Sequence, residues 1–167
     1  YNLWNAGYLP QKAVVVGVAR RAKTDLEFRE EMCLALKKHS RTGHGSSDTC
    51  DPFVGNLFYH PLDFSRDGGF EELGNRLDAI EAQRGLCGRR LFYLAVGPEF
   101  FAPIVERLGA AGLIKKPGEE PWTRLIIEKP FGHDLESARV LNSRISDVLA
   151  EDQVFRIDHY LGKETVQ

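Results

Sequence analysis

The chain of 167 residues predicts an α/β protein with a mostly parallel, doubly wound sheet. Three observations carry that expectation. Short apolar runs alternate with amphipathic stretches along the whole length, the pattern of βαβ units. A helix-start signal, Thr24-Asp25-Leu26-Glu27, comes soon after the first apolar run: the threonine caps the helix and the glutamate three residues on caps back. Ionisable residues gather directly after the apolar runs, at the carboxyl ends of the strands they imply, where open α/β sheets bind ligands.

Taken in order, Ala13 to Val18 is a Val-rich run suited to a buried strand, ending in Gly17-Val18-Ala19-Arg20. Phe28, Met32 and Leu36 recur at four-residue spacing and give a helix to about Lys38. Residues 40–52, rich in Gly, Ser, Thr and Asp, form a loop. Leu57 to Leu62 is the next strand, Leu73, Leu77 and Ile80 mark a helix, and Arg90 to Val96 is a third strand. Phe101, Ile104, Val105 and Leu108 line a helix that ends near Gly112, and Lys115 to Pro121 is a surface loop. Arg124 to Glu128 is a fourth strand. Leu135, Ala138, Leu141, Ile145 and Leu149 share a helix face from about Asp134, and Val154 to Ile157 is the fifth strand. There is no internal repeat and no low-complexity tract.

Composition narrows the function. A hydrophobic fraction of 43% supports one core, and the formal charge of −2 argues against a nucleic-acid or membrane-surface partner. No apolar run approaches the ~20 residues that cross a bilayer. Three scattered cysteines, Cys33, Cys50 and Cys87, with no CxxC, fit a reducing compartment better than a disulfide framework, so a cytoplasmic location is expected. The chain starts at Tyr1 rather than Met and stops at Gln167 inside a starting helix, and so reads as an internal fragment.

The strand ends carry Arg20-Arg21, Gly97-Pro98, Glu128-Lys129-Pro130 and Asp158-His159-Tyr160. His159, Tyr160 and Lys163 offer an imidazole, a phenol and an ammonium, the converging donors a phosphate dianion needs; the plain alternative is a solvated charged turn. Asp158 either caps the turn that follows or orients a histidine acting as general base. Adjacent strand residues face opposite ways, so His159 is not that histidine, and none of His39, His44, His60 or His133 stands at a facing strand end. Pro130 forces Lys129 into an extended conformation that aims its ammonium across the sheet edge, at a substrate hydroxyl and a nicotinamide carboxamide, or simply into solvent. Arg20-Arg21 suits the 2′-phosphate of NADP where a carboxylate would suit NAD; otherwise the pair is a basic approach to the helix, balanced by Asp25 and Glu27. No GxGxxG occurs, and no metal site is expected.

The string RIDHYLGKE at Arg156–Glu164, with EKPFG at Glu128–Gly132, GVAR at Gly17–Arg20 and RLFYLAVGP at Arg90–Pro98, resembles the glucose-6-phosphate dehydrogenase family over nearly the whole chain. EKP alone is weak, because another sugar-oxidoreductase family carries it. The resemblance implies a Rossmann-like domain at 1–167: a partial NADP-binding domain that lacks its first strand and Gly-rich turn and ends where the substrate domain begins. It implies hydride transfer from C1 of glucose 6-phosphate to NADP, giving the 6-phosphogluconolactone, in a homo-oligomer (dimer or tetramer). By matching position, His159, Tyr160 and Lys163 would grip the substrate phosphate, and Lys129 would contact substrate and cofactor, with a cis bond before Pro130. Asp158 would hold a catalytic histidine lying after Gln167, and Arg20 would meet the 2′-phosphate. Ala95-Val96-Gly97-Pro98 would line the cofactor cleft, with Gly97 where the family more often has proline. These 167 residues alone are then expected to be inactive and aggregation-prone. The alternatives are an EKP-type oxidoreductase of unphosphorylated sugars and a non-catalytic sugar-phosphate-binding remnant.

Overall fold

A computed structural model describes residues 1–40, 52–65 and 68–158. The chain divides into two compact units, residues 1–69 and 70–167. Among the described residues, five strands form two wholly parallel sheets, one in each unit.

In the first unit, a short helix α1 (Asn2–Asn5) precedes strand β1 (Val15–Ala19), helix α2 (Asp25–His39) and strand β2 (Leu57–Pro61). The strands pair in register from Val15↔Leu57 to Ala19↔Pro61, with α2 in the crossover between them. The capping box forms: the Glu27 N–H donates to the Thr24 hydroxyl and the Thr24 N–H to the Glu27 carboxylate. The Thr24 N–H, followed by the Thr24 hydroxyl, which donates to the same carboxylate, holds the Glu27 carboxyl below its usual range. The Phe28 ring of α2 reaches over Gly17 of β1, where an added Cβ would come within 2.8 Å of it. Phe53, Val54, Leu57, Phe58, Tyr59 and Leu62 are buried, and Tyr1 and Trp4 pack their rings on Phe53. Helix α1 has no counterpart in the sequence reading, since four residues show no periodicity.

The second unit runs α3 (Phe70–Arg84), β3 (Arg90–Leu94), α4 (Phe101–Ala110), β4 (Thr123–Glu128), α5 (Leu135–Ser146) and β5 (Val154–Ile157). The strand order is β3-β4-β5. Thr123, Leu125 and Ile127 on alternate positions of β4 are buried, together with Phe101, Ile104, Val105 and Leu108 of α4 and Ile145 of α5. Arg144 of α5 donates to both carboxylate oxygens of Glu106 on α4, at 2.7 and 2.9 Å.

Expectations about two strand boundaries, Leu135 and the cysteines need correction. The first strand lies two residues later at its start and one at its end than its apolar run, and β3 stops at Leu94, leaving Ala95 and Val96 outside the ladder. Leu135, placed on the α5 core face by its spacing, is 67% exposed, because as the first helical residue it sits above the packed turns. The loop at residues 40–52 falls almost wholly outside the described residues. Cys33 is in a disulfide, while Cys87 is a free, exposed thiol. Pairing needs close Cα approach in space, which spacing along the chain does not set.

Candidate active site at the carboxyl strand ends

Register builds the site. Strands β4 and β5 pair Leu125↔Val154, Ile127↔Arg156 and Glu128↔Ile157. One step further along both strands stand Lys129 and Asp158. Side chains alternate, and paired residues of a parallel ladder share a face. Lys129 therefore lies on the same face as Ile127, and Asp158 on that of Arg156. The Lys129 ammonium stands 2.5 Å from the Asp158 carboxylate, an ion pair at the carboxyl edge of the sheet. The lysine side chain is 59% exposed and the aspartate 15%, so the carboxylate is the fixed partner and the ammonium the accessible one. An ammonium has three donors. With one on Asp158, two remain for a hydroxyl or a carboxamide oxygen.

The amino end of the ladder sets that register. Gln153, buried immediately before β5, donates from Nε2 to the Lys115 carbonyl (2.9 Å) and the Thr123 carbonyl (3.0 Å), and its Oε1 accepts from Ala150 N–H (3.1 Å). The start of β5 is thus tied to the start of β4.

The loop that carries Lys129 is held at both ends. The Lys129–Pro130 peptide is cis, as the resemblance implies, and so is Glu120–Pro121. Four residues after Pro130, Asp134 caps α5: its carboxylate accepts the Ser137 N–H at 2.7 Å, and the Ser137 hydroxyl accepts from the backbone N–H groups of His133 and Asp134. The Ser137 N–H, followed by its hydroxyl, holds the Asp134 carboxyl below its usual range. Between proline and cap sits Gly132 at φ 131°, where an added Cβ would lie 2.6 Å from the Ala138 nitrogen. Only glycine fits against the backbone of α5 there. On the opposite face of the sheet, the Tyr93 phenol donates to the carboxylate of Glu128, which separates that acid from Lys129.

Gly97 has φ −60° and ψ 145°, a conformation open to proline, so the turn before Pro98 does not depend on glycine. A Cβ at 97 would first meet the Glu99 carboxylate, the far end of a movable side chain.

In the first unit, Arg20 and Arg21 form an exposed bend directly after β1. The Tyr59 phenol, from β2, donates to the Arg21 carbonyl at 2.6 Å, and the Tyr59 N–H donates to Asp25 at the start of α2 (2.8 Å). An exposed guanidinium pair on a fixed turn is a donor set that fits a phosphate dianion.

Of the residues expected at the site, the structure brings Lys129 and Asp158 together, and puts Arg20 at the carboxyl end of β1. His159, Tyr160 and Lys163 lie outside the described residues. The sequence reading missed the Lys129–Asp158 pair, although both residues directly follow neighbouring strands. It also missed Gly132, Gln153 and Tyr59. A cleft of about 450 Å³, lined in part by Glu71, Asp78, Glu81 and Arg90, opens beside the amino ends of β3 and β4. Arg90 there is ion-paired with Asp78 and Glu81. Parallel sheets present ligands at the other end of their strands, and the Lys129–Asp158 edge is the better candidate.

The whole chain, residues 1–167, matches the family described as "Glucose-6-phosphate dehydrogenase, NAD binding domain". It is 41% identical over 169 residues to the glucose-6-phosphate 1-dehydrogenase of Chlamydia muridarum, covering 100% of this chain and 33% of the relative. To glucose-6-phosphate 1-dehydrogenase 2 of Mycobacterium tuberculosis it is 42% identical over 167 residues, 100% of this chain and 32% of the relative. A solved glucose-6-phosphate dehydrogenase in complex with glucose 6-phosphate superposes with a TM-score of 0.80 at 33% identity, over 98% of this chain and 33% of that one. The crystal structure of the Mycobacterium avium enzyme gives 0.74 at 37% identity, over 96% and 32%. The chain therefore spans about a third of the length of the relatives it matches.

Proposed function

We propose a function from one premise: the chain belongs to the glucose-6-phosphate dehydrogenase family, whose NAD-binding domain it matches from residue 1 to 167. The protein that carries this domain oxidises C1 of glucose 6-phosphate with NADP. The observation that carries the reading is the Lys129–Asp158 pair at the carboxyl ends of β4 and β5, beside a cis Lys129–Pro130 peptide.

The chemistry divides among named groups. NADP, when bound, supplies the hydride acceptor. The substrate, a cyclic hemiacetal, loses a hydride from C1 and a proton from the C1 hydroxyl, and C1 becomes the carbonyl of the lactone. Asp158 orients the histidine that takes the proton, a residue supplied from elsewhere in the protein. Its carboxylate holds the imidazole in the tautomer that accepts at the reacting oxygen. Lys129 places its free donors on a substrate hydroxyl and the nicotinamide carboxamide. His159, Tyr160 and Lys163 bind the phosphate, and Arg20 binds the 2′-phosphate, the exposed bend after β1 supporting that role. Residues 1–167 thereby form the nucleotide-binding part of a larger, cytoplasmic homo-oligomer. Size-exclusion chromatography and cell fractionation check those last two points.

The test is NADPH formation by the protein carrying this domain. Lys129→Ala is expected to lower kcat/KM by about 10²-fold, the scale for removing one preorganised electrostatic contact. Asp158→Asn is expected to lower kcat with little change in KM, and Lys163→Ala to raise the KM for glucose 6-phosphate with little change in kcat. Equal use of unphosphorylated glucose would remove the phosphate grip and favour the EKP-type oxidoreductase. Full activity in Lys129→Ala would remove the site.

A further inference from the structure

We propose that Tyr59 is a positioning residue for dinucleotide selectivity: its phenol fixes the Arg20–Arg21 bend so that the arginines meet a ribose 2′-phosphate. The inference rests on the reading of Arg20 as the 2′-phosphate contact, and adds a residue two secondary-structure elements away from it.

Tyr59 sits at the middle of β2, opposite Gly17, and is 6% exposed. It is anchored at both ends. Its N–H donates to the Asp25 carboxylate at 2.8 Å, tying the strand to the first residue of α2. Its hydroxyl lies 2.6 Å from the Arg21 carbonyl and 3.2 Å from that of Ala19. A phenol has one proton, and the Ala19 carbonyl already accepts the Leu62 N–H at 2.9 Å, so the short contact to Arg21 is the principal bond. The ring cannot swing away. It packs on Phe28 with centroids 5.2 Å apart, and the Lys23 ammonium stands 6.0 Å from its centre.

The bend itself has little else to hold it. The β1 ladder ends at Ala19, and the hydrogen bonds of α2 begin at its cap, Thr24. Among the described residues, the Tyr59 hydroxyl is what anchors the backbone of the bend between those two points. A guanidinium binds phosphate well only when its planar fork is aimed, and a preset backbone lowers the ordering cost of that contact. A nucleotide without the 2′-phosphate gains nothing from the bend. Loss of the phenolic hydroxyl should therefore discriminate between the two classes of nucleotide. A general loosening of the unit would not.

The experiment is calorimetric titration of the full-length protein with 2′,5′-ADP and with 5′-AMP, which differ only in the 2′-phosphate. Tyr59→Phe keeps the ring and its packing. It is expected to weaken 2′,5′-ADP about fivefold, equivalent to ~1 kcal/mol, and to leave 5′-AMP and the kcat at saturating NADP unchanged. Arg20→Ala is expected to abolish the preference for 2′,5′-ADP, and the double variant to lose no more than Arg20→Ala alone. Equal weakening of both nucleotides by Tyr59→Phe would make Tyr59 merely structural and overturn the inference. So would unchanged binding of both, if Arg20→Ala still removes the preference; the Arg20 reading would then stand without Tyr59. Unchanged 2′,5′-ADP binding in Arg20→Ala would overturn the Arg20 reading itself.

Discussion

A single hydrogen-for-methyl replacement at Gly132 should disturb the site more than most changes to its charged groups disturb the fold. Gly132 combines φ 131° with an Ala138 backbone nitrogen 2.6 Å from where a Cβ would sit. Neither problem can be relieved by a side-chain rotation, because the neighbour is helix backbone. Gly132→Ala is expected to cost about 2–3 kcal/mol in chemical denaturation, from backbone strain and overpacking together, and to displace the Lys129 loop so that activity falls as well. A variant as stable as the parent would show that the loop bends freely around residue 132. Gly97 is the opposite case: its φ of −60° is one any residue adopts, so the departure from proline there leaves the turn its shape.

Among the elements, β5 and α5 decide where the site residues stand. Gln153 makes three hydrogen bonds that fix the start of β5 against β4, five positions before Asp158. Gln153→Ala removes all three and leaves the Lys115 and Thr123 carbonyls and the Ala150 N–H short of a partner. The expected loss is about 2–4 kcal/mol in urea unfolding, the scale for stranding one buried and two part-buried polar groups; a loss under half a kcal/mol would mean that water replaces the amide. Helix α5 answers to pH. The folded-state pKa of Asp134 is depressed by the Ser137 N–H and hydroxyl. A depressed pKa adds stability that is fully present above the unfolded value, about 4, and is lost as pH falls through the lower folded value. Asp134→Asn caps as well and does not titrate. Its thermal midpoint should therefore fall less steeply than the parent's below about pH 4. The slope is reduced rather than abolished, because Glu106, beside Arg144, and Glu27, in its capping box, are shifted the same way. Parallel slopes in parent and variant would show that the cap does not carry the acid sensitivity.

For the whole molecule, the second unit leaves one face of its sheet open. Leu91 and Tyr93 of β3 and Phe155 of β5 are 52%, 47% and 45% exposed, with Arg124 stacked between Trp122 and Phe155. An apolar sheet face of this kind promotes association. Replacing Leu91 and Phe155 together by lysine is expected to raise the soluble yield of the 167-residue chain and reduce its binding of a hydrophobic dye; unchanged solubility would locate the aggregation risk elsewhere. The sequence by itself determined the α/β class, the five strands and four of the five α-helices among the described residues, and the residue types at the strand ends, because periodicity and capping are local properties of the chain. It also supplied the EKPFG and RIDHYLGKE strings that mark the family. It did not show that Lys129 and Asp158 meet, that Gln153 sets their register, or that Tyr59 reaches the Arg20–Arg21 bend. Each of those is a contact between segments far apart in sequence, and only the pairing of strands and the packing of helices brings such segments within bonding distance.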